Sequence, residues 1–367
     1  MRILHVLNDI QKIGNGIINV AVDLACLQAQ AGHAVAVASD GGEFESLLAD
    51  YGVRHFKFNQ RRRPVTLIKA AQRFRAIVEA FKPEIMHTHM MTGGVLAKLL
   101  KGSASYAIVS TVHNEFQRSA TLMGLADRVI AISQAVAVSM QQRGVSASKL
   151  RVVANGTLGS PRCRPLSEIE PLPLRRAAIT TVAGMFHRKG IRTLIDAFTE
   201  ASTHLAGSPP HLYLVGDGAD RAEFERHAQK SPVADRIHFE GFQPEPQRYL
   251  LATDIFVLAS DREPFGLVLS EAREAGCAIV ATEVDGIPEV LEGGKAGLLV
   301  PPRDVSTLAK TLTQLLSNPK QLELWKQRAP QNLEWLSVER VHQETLEVYR
   351  SAVQDASPSR SLTLSNR

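Results

Sequence analysis

Residues 254–275 read DIFVLASDREPFGLVLSEAREA, and this stretch decides the fold of the chain. Its apolar run 255–259 is typical of a buried parallel strand, which the polar residues 260–264 end. Helix-forming residues with apolar side chains at helical spacing follow, so we expect a helix to begin near Gly266. The backbone N–H groups in the first turn of a helix lack intrahelical partners and lie at the positive end of its dipole. The junction therefore predicts a site for an anion such as a diphosphate.

Two glutamates flank this predicted anion site. Glu263 lies in the loop, and Glu271 follows eight residues later, on the same line of the helix as Leu267. Taken alone, two glutamates at this spacing are most simply two solvated charges. Carboxylates accept hydrogen bonds from hydroxyl groups, so a pair beside an anion site suits a ligand with vicinal hydroxyls on either side of a diphosphate. A nucleotide-diphosphate sugar is such a ligand.

The segment EPFGLVLSEA, residues 263–272, resembles the signature of the retaining glycosyltransferases of family 4, which have the two-domain GT-B fold. The likeness continues through AGCAIVATEVDGIPEVLEGGKAGLLVPPRD, residues 275–304. The resemblance implies that Glu263 is a catalytic residue that contacts the transferred sugar, and that Glu271 holds the nucleotide ribose. The donor-binding residues that it implies at the helix start are Phe265, Gly266 and Leu267.

Length and pattern set the expected domains. A chain of 367 residues exceeds the roughly 250–300 residues over which one core keeps growing, so two domains are expected. Strand and helix signals alternate in both halves, which indicates an α/β chain with two doubly wound, Rossmann-like sheets facing across a cleft. We expect an acceptor-side domain over 1–160, a linker over 161–175 and a nucleotide-sugar domain over 176–335. A helix over 336–355 is expected to return to the first domain, and a disordered tail follows over 356–367.

Several other classes of protein do not fit the sequence. No apolar run approaches the about 18 residues of a membrane span, and no signal peptide precedes the first strand, so we expect a soluble, cytoplasmic chain. Three scattered cysteines argue against a disulfide framework. His87 and His89 point to one side of a strand, but the sequence presents no third ligand beside them. Without an Asp-x-Asp motif, and with cations expected at the diphosphate, we expect neither a metal nor a cofactor.

The charge of the chain is unevenly distributed. Residues 1–160 hold 18 Lys and Arg against 10 Asp and Glu, whereas 161–367 hold 24 against 27. A basic first half suits an acidic substrate or an anionic membrane surface, and its charges are not interleaved with the stacking aromatics of a nucleic-acid module. Arg61, Arg62 and Arg63 precede a predicted helix, and this pattern suits a solvated face and a membrane contact equally.

The loop after the first strand, NDIQKIGNG, has two open interpretations. Gly14 and Gly16, with Asp40 at the end of the next strand, have some of the features of a dinucleotide-binding fingerprint. Asn19 replaces the third glycine, and the glycines do not follow the strand directly, which argues against that interpretation. The resemblance instead implies that Gly14 and Gly16 lie in the interdomain cleft, beside the donor phosphates and the acceptor.

Three further positions complete the predicted site. His113 ends an apolar strand, where open α/β sheets bind ligands, and the resemblance implies that it is a catalytic residue that contacts the donor. The loop GMFHRKG, residues 184–190, resembles the family's Gly-Arg loop followed by Lys-Gly, whose cations neutralise the donor pyrophosphate. Lys189 matches, but Met185 stands where an arginine is usual, and we hypothesise that Arg188 compensates. Phe242 falls where the family's strand end borders the base.

These residues predict a retaining glycosyltransferase that uses a UDP- or GDP-type donor. The expected mechanism has no protein nucleophile, because Arg188, Lys189 and the helix start stabilise the leaving diphosphate and a phosphate oxygen takes the acceptor's proton. The expected acceptor is a lipid-linked or anionic glycan of envelope or exopolysaccharide synthesis, used at the inner membrane face. The alternatives are a nucleotide-sugar epimerase or sugar-phosphate transferase, a nucleotide-dependent oxidoreductase, and an inactive nucleotide-sugar-binding subunit.

Overall fold

Two parallel sheets organise the chain. The computed structural model describes residues 1–60, 64–205 and 209–356, and the predicted α/β class with two doubly wound sheets is confirmed. The arginines at 61–63 and the predicted tail beyond Ala356 lie outside the described residues.

The first sheet is built from the N-terminal half of the chain. Its elements are β1 (Arg2–Val6), α1 (Gly16–Gln30), β2 (Ala34–Ser39), α2 (Glu45–Asp50), β3 (Arg54–Lys57), α3 (Pro64–Phe81), β4 (Ile85–Thr88), α4 (Met91–Leu99), β5 (Ala107–Val112), β6 (Arg128–Ala131), α5 (Gln134–Gln142) and β7 (Leu150–Val152). The strand order is β3-β2-β1-β4-β5-β6-β7. Because β1 lies between β2 and β4, the loops after β1 and β4 diverge and open a crevice at the carboxyl ends of the strands.

The second sheet repeats this arrangement. Its elements are β8 (Ala178–Val182), α6 (Ile191–His204), β9 (His211–Val215), α7 (Arg221–Ala228), β10 (Ile237–Gly241), α8 (Gln247–Leu250), β11 (Ile255–Leu258), α9 (Leu267–Glu274), β12 (Ala278–Thr282), α10 (Ile287–Val290), β13 (Leu298–Val300), α11 (Val305–Ser317), α12 (Pro319–Arg328) and α13 (Val338–Ala356). The order is β10-β9-β8-β11-β12-β13, so the loops after β8 and β11 diverge in the same way.

β11 is the strand predicted from the apolar run at 255–259. All four of its side chains are fully buried, between β8 on one side and β12 on the other. Burying an aliphatic or aromatic side chain of this size contributes about 1.5–3 kcal/mol, so the run stabilises the centre of the second sheet. The strand ends one residue earlier than predicted, and α9 begins directly after Gly266.

The chain passes between the two domains twice, and the two crossings lie side by side. Thr157 and Leu158 donate backbone hydrogen bonds to the carbonyl of Leu336, at 2.9 and 3.1 Å. Val338 donates to the carbonyl of Leu158 at 2.9 Å. A β-carbon on Gly156 would lie 2.4 Å from the Leu336 carbonyl oxygen, so only glycine allows this approach.

The final helix, α13, packs on the first domain. Its buried side chains, Val341, Leu346, Tyr349 and Ala352 among them, share a cluster with residues of α1, β1 and β5. Its last turn is tied to β6 by an ion pair between Arg128 and Asp355. The end of the chain therefore completes one face of the first sheet.

The helix α4 is not predicted from the sequence. Gly93 and Gly94 lie inside this helix, and each glycine costs about 1 kcal/mol relative to alanine, so local propensity does not indicate a helix there. A β-carbon on Gly93 would lie 2.9 Å from a methyl group of Val6. A β-carbon on Gly94 would lie 3.3 Å from the hydroxyl of Thr88, so the glycines reflect close packing of α4 on β1 and β4, which is a tertiary effect.

Candidate functional site

The predicted anion site lies at the junction of β11 and α9. Gly266 is the N-cap of α9 and has φ +91°, a left-handed conformation that a β-carbon would strain. Among the described residues, no side chain caps this helix start. Leu269 N–H donates to the Gly266 carbonyl at 2.8 Å, so the N–H groups of Leu267 and Val268 are the ones in this turn that can meet an anion from outside the chain.

Glu263 and Lys189 lie in direct contact beside this helix start. Lys189 Nζ donates to Glu263 Oε2, and the two side chains are only 15% and 10% exposed. The backbone N–H of Glu263 donates to Asp285 at 2.8 Å, and its carbonyl accepts from Gly286 at 3.0 Å. The loop before α10 thus holds the glutamate in place, and a buried cation and carboxylate face the site together.

Lys189 is presented by a tight turn after β8. Residues His187–Lys189 form a 3-10 turn that ends at Gly190, which has φ +65°. A β-carbon on Gly190 would lie 1.8 Å from the carbonyl oxygen of Ala259. Glycine therefore lets this turn lie against the end of β11, which brings Lys189 beside Glu263.

Met185 and Arg188, in the same loop, differ in environment. Met185 is fully buried in the core of the second domain, where a charged side chain would be costly. Arg188 is exposed, and its guanidinium lies 5.4 Å from the ring centroid of Phe116 in the first domain and 5.9 Å from that of Phe186. The aromatic contacts hold this extra cation in the cleft.

The other residues predicted at the helix start have separate surroundings. The ring of Phe265 is buried against Trp335, with 6.3 Å between ring centroids, so the ring is not accessible to a ligand. Leu267 is half-buried, and its Cδ1 would lie 3.2 Å from a β-carbon on Gly16. A β-carbon on Gly14 would likewise lie 3.5 Å from the ring of Phe242. The loop after β1 therefore packs directly on the second domain.

Glu271 faces a second part of the cleft, next to the segment that joins the domains. It lines a cavity of about 300 Å³ with Glu274, Gln247 and residues of the 157–166 segment. Burial raises the pKa of Glu271 to about 7, against the attraction of the Arg162 guanidinium. Arg162 itself forms a bidentate pair with Asp23, at 2.8 and 2.9 Å. Glu271 is therefore a carboxyl group that titrates near neutral pH.

His113 lies at the end of a buried group of histidines. Its Nε2 is 3.1 Å from His89 Nδ1, and His89 Nε2 is 3.0 Å from His5 Nδ1. Burial lowers the pKa of His113 to about 3 and that of His5 to about 4. The sequence presents no third ligand beside His87 and His89, but the structure supplies one, because β1 runs next to β4 and brings His5 to the pair.

A larger cavity opens at the carboxyl ends of the first sheet. It has a volume of about 560 Å³, and its lining is polar, comprising Asn8, Asp9, Gln11, Asp40, Gly41, Asn59, Gln60, Thr92 and Gln117. Most of these residues directly follow β1, β2 and β3. The sequence reasoning singled out only Asp40, although their positions at strand ends were a usable signal. Asp40 accepts a hydrogen bond from Asn59 at 2.9 Å.

Two family models match the chain. The model described as Glycosyl transferases group 1 matches residues 165–332, and that described as Glycosyltransferase Family 4 matches residues 14–157. The chain is 30% identical over 171 residues to the lipopolysaccharide core biosynthesis glycosyltransferase LpsE of Rhizobium meliloti, covering 46% of this chain and 48% of that protein. It is 33% identical over 130 residues to the N-acetyl-alpha-D-glucosaminyl L-malate synthase of Bacillus anthracis, covering 35% and 33%. The alignments thus span about half of these relatives or less.

Solved structures share the fold over almost the whole chain. Anabaena Alr3699/HepE in complex with UDP-glucose has a TM-score of 0.80 at 20% identity, covering 95% of this chain and 99% of that one. The sucrose-phosphate synthase of Thermosynechococcus elongatus also has a TM-score of 0.80, at 22% identity, covering 97% and 99%. At these identities the likeness concerns the fold.

Proposed function

Because the chain belongs to glycosyltransferase family 4 and has the GT-B fold, we propose that it transfers a sugar from a nucleotide-diphosphate donor to a hydroxyl group, with retention of configuration. The observation that carries this proposal is the Lys189–Glu263 pair beside the uncapped start of α9. A cation and free backbone N–H groups suit a diphosphate, and a carboxylate next to them suits the hydroxyls of the attached sugar.

In the proposed reaction the protein supplies electrostatic stabilisation. The bond between the anomeric carbon and the diphosphate oxygen breaks, and the acceptor oxygen bonds to that carbon on the same face. The acceptor's proton passes to a phosphate oxygen of the leaving group. Lys189, Arg188 and the start of α9 offset the charge that develops on the diphosphate, while Glu263 orients the sugar.

The direct test of this proposal is a thermal-shift panel of UDP, GDP and ADP with their sugars. A ligand at about 100 times its Kd stabilises the folded state by roughly 2.7 kcal/mol, so a true donor raises the melting temperature clearly. Anabaena HepE binds UDP-glucose, which favours UDP-type donors in the panel. Incubation with the stabilising donor alone then separates an epimerase, which alters the sugar without an acceptor. No stabilisation by any nucleotide would refute the proposal.

The affinity for a nucleotide sugar is expected to depend on pH through Glu271. Ribose hydroxyls donate to its ionised form, so binding is strongest above its pKa of about 7 and weakens as the carboxyl group protonates below it. UDP-glucose should bind roughly tenfold more weakly at one pH unit below the pKa than well above it. Its phosphates are diesters without a second pKa near 6, so the ligand itself does not titrate in this range.

Calorimetric titration of UDP-glucose at several pH values measures this effect. Glu271→Gln keeps an acceptor oxygen but should give a flat pH profile. Glu263→Ala removes the other carboxylate of the site and serves as the comparison. It should retain affinity for plain UDP while losing turnover. Equal losses of UDP affinity in Glu263→Ala and Glu271→Ala would contradict the assigned roles.

The acceptor is proposed to be an anionic or lipid-linked glycan, used at the inner membrane face in envelope or exopolysaccharide synthesis. The 560 Å³ cavity of the first domain, lined by Asp9, Asp40 and neutral polar side chains, suits uncharged sugar hydroxyls of such a glycan and not its anionic groups. The excess of basic residues in the first half supports an anionic partner. None of the helices in the described ranges combines the length and the apolar content that crossing a bilayer requires. On α3, Lys69, Arg73 and Arg75 are exposed, as expected for charges that face away from the core.

Vesicle flotation is expected to show binding to anionic lipid that weakens with added salt. Replacing Arg61, Arg62 and Arg63 by serine should abolish most of it, because each basic residue near such a surface contributes about 1 kcal/mol. The control replaces three exposed lysines of the second domain, Lys295, Lys310 and Lys320, by serine. Equal flotation with neutral and anionic vesicles would count against the membrane contact.

A further inference from the structure

A chain of hydrogen bonds between buried side chains runs from α13 to the cleft. Gln28 Nε2 donates to the hydroxyl of Tyr349 at 3.2 Å, and Gln28 Oε1 lies 2.8 Å from His5 Nε2. His5 Nδ1 is 3.0 Å from His89 Nε2, and His89 Nδ1 is 3.1 Å from His113 Nε2. Tyr349, in the final helix α13, is thus linked to His113 through the side chains of Gln28, His5 and His89.

Each imidazole of this buried cluster is neutral near pH 7, because burial holds the pKa of each far below its ordinary value. A neutral imidazole has one N–H donor and one bare nitrogen that accepts. A ring that donates from one nitrogen must therefore accept at the other. A row of such rings has only two self-consistent arrangements, in which all hydrogen bonds point one way or all point the other.

The orientation of Gln28 selects one arrangement. Its amide nitrogen faces Tyr349, so its carbonyl oxygen faces His5 and accepts from His5 Nε2–H. His5 Nδ1 then accepts from His89 Nε2–H, and His89 Nδ1 accepts from His113 Nε2–H. His113 keeps a bare Nδ1, which is buried and has no hydrogen-bond partner among the described residues.

The same orientation of Gln28 sets the direction of the other arm of the cluster. The hydroxyl of Tyr349 accepts from Gln28 and so donates to His87 Nδ1 at 2.6 Å. His87 Nε2 then donates to the hydroxyl of Thr111 at 2.7 Å. The ring nitrogens of His5, His87 and His89 lie close enough together to bind a metal, but the hydrogen bonds use every one of them.

We propose that this series of hydrogen bonds fixes His113 in the Nε2–H tautomer, so that its bare Nδ1 accepts a hydrogen bond from a hydroxyl group of the bound sugar. Tyr349, Gln28, His5 and His89 are then positioning residues, since they act through His113 without touching substrate. A bare nitrogen attracts a hydroxyl donor and repels the lone pairs of phosphate or carboxylate oxygen. The inference rests on the proposed function, because it takes the ligand of His113 to be a sugar.

The location of His113 supports this role. It directly follows β5, and the next residues contact the second domain. Glu115 accepts from Arg262 at 3.0 Å, and the ring of Phe116 lies under the guanidinium groups of Arg262 and Arg188. His113 therefore lies next to residues that contact the second domain, and because its Nδ1 is enclosed in the ligand-free protein, a sugar hydroxyl reaches it only when neighbouring side chains shift on binding.

Nuclear magnetic resonance of the ligand-free wild-type protein tests the tautomer directly. With isotopic nitrogen in its histidines, two-bond proton–nitrogen correlations distinguish a protonated from a bare ring nitrogen, and a His113→Asn variant identifies the His113 signals. We expect a bare Nδ1 and a protonated Nε2 at neutral pH. An Nδ1–H form, an imidazolium or an even mixture would overturn the proposal, as would bound metal that is lost on His5→Asn substitution.

Tyr349→Phe tests the remote end of the chain, because it removes one hydroxyl and keeps the ring. Without that acceptor, the buried N–H groups of Gln28 would have no partner, which is costly. The amide is therefore more stable when it is turned so that its N–H groups face His5. The Nδ1–H population of His113 should therefore rise. Tyr106→Phe removes a buried hydroxyl that donates to the Ala97 carbonyl at 2.8 Å, outside this cluster, and it should leave the tautomer unchanged. An unchanged tautomer in Tyr349→Phe would reject the link to α13.

Turnover supplies a second measurement that separates the two proposals. Tyr349→Phe should lower kcat roughly tenfold, about the effect of one lost hydrogen bond, without changing the affinity for UDP. The tautomer is observed without substrate, so absence of any sugar transfer refutes the proposed function and leaves the spectrum to be judged separately. An active enzyme whose His113 is an Nδ1–H form refutes the tautomer proposal alone.

Discussion

Purified Lys189→Ala protein is expected to turn over its donor about 100- to 1,000-fold more slowly than the wild type, which is the typical effect of removing one group that stabilises a developing anion. The leaving diphosphate gains charge beside the start of α9, where Lys189 already pairs with Glu263 in a largely buried position. The measurement is kcat from released nucleoside diphosphate at saturating donor. The melting temperature of each variant shows whether the loss comes from the site or from misfolding.

Arg188 provides the sharpest comparison for this result. If the aromatic contacts of Arg188 hold it for the diphosphate, Arg188→Ala should lose about as much rate as Lys189→Ala. The double variant should then be less than additive, because both cations act on one charge. Lys295→Ala, an exposed charge of the same domain, is the control. Near-normal turnover of Arg188→Ala beside a crippled Lys189→Ala would reject compensation for the missing arginine, whereas a wild type that binds the donor and transfers no sugar would favour the inactive-subunit alternative.

The second large effect is a loss of stability in acid. Burial lowers the pKa values of His5, His87, His89 and His113 below the roughly 6.5 of an unfolded chain. The stability that these neutral, buried rings contribute is complete above the pKa of the unfolded chain. It is lost as the pH falls toward their folded-state pKa values, because between the two pKa values only the unfolded state binds protons. Each histidine should cost about 1.4 kcal/mol of unfolding free energy per pH unit in that window.

Denaturant titrations at a series of pH values measure this slope. Four histidines acting together would lower the free energy of unfolding by up to about 5.5 kcal/mol per pH unit, a large part of the stability of an ordinary domain. His204→Gln, which removes an exposed histidine at the end of α6, should leave the slope unchanged. A free energy of unfolding that stays constant from neutral pH down to pH 5 would contradict neutral burial of the cluster.

Local patterns were sufficient to predict three features of the second domain: the strand β11, the helix start at Gly266 and the helix α9. The apolar run of β11 and the glycine at 266 each act within a few residues, so their spacing indicates the structure. α4 was missed for the opposite reason, because its two glycines are explained only by the strands on which they pack.

The contacts of the site depend on which strands are neighbours. Lys189 and Glu263 are far apart in sequence, and they meet because β8 and β11 are adjacent at the point where the strand order reverses. His5 joins His87 and His89 for the same reason, through the pairing of β1 with β4. Spacing along the chain carries no information on such pairings. The resemblance named both members of the first pair without indicating that they touch.

The paired crossings between the domains restrict how the cleft can open. A single covalent connection would allow one domain to swivel freely about it. Here the crossings at 157–158 and 336–338 share three backbone hydrogen bonds, so twisting one domain against the other would shear those bonds. Bending about an axis that runs across the two crossing segments leaves these three hydrogen bonds intact. The connection therefore behaves as a flat hinge with one easy axis, and opening and closing of the cleft reduces to one angular coordinate.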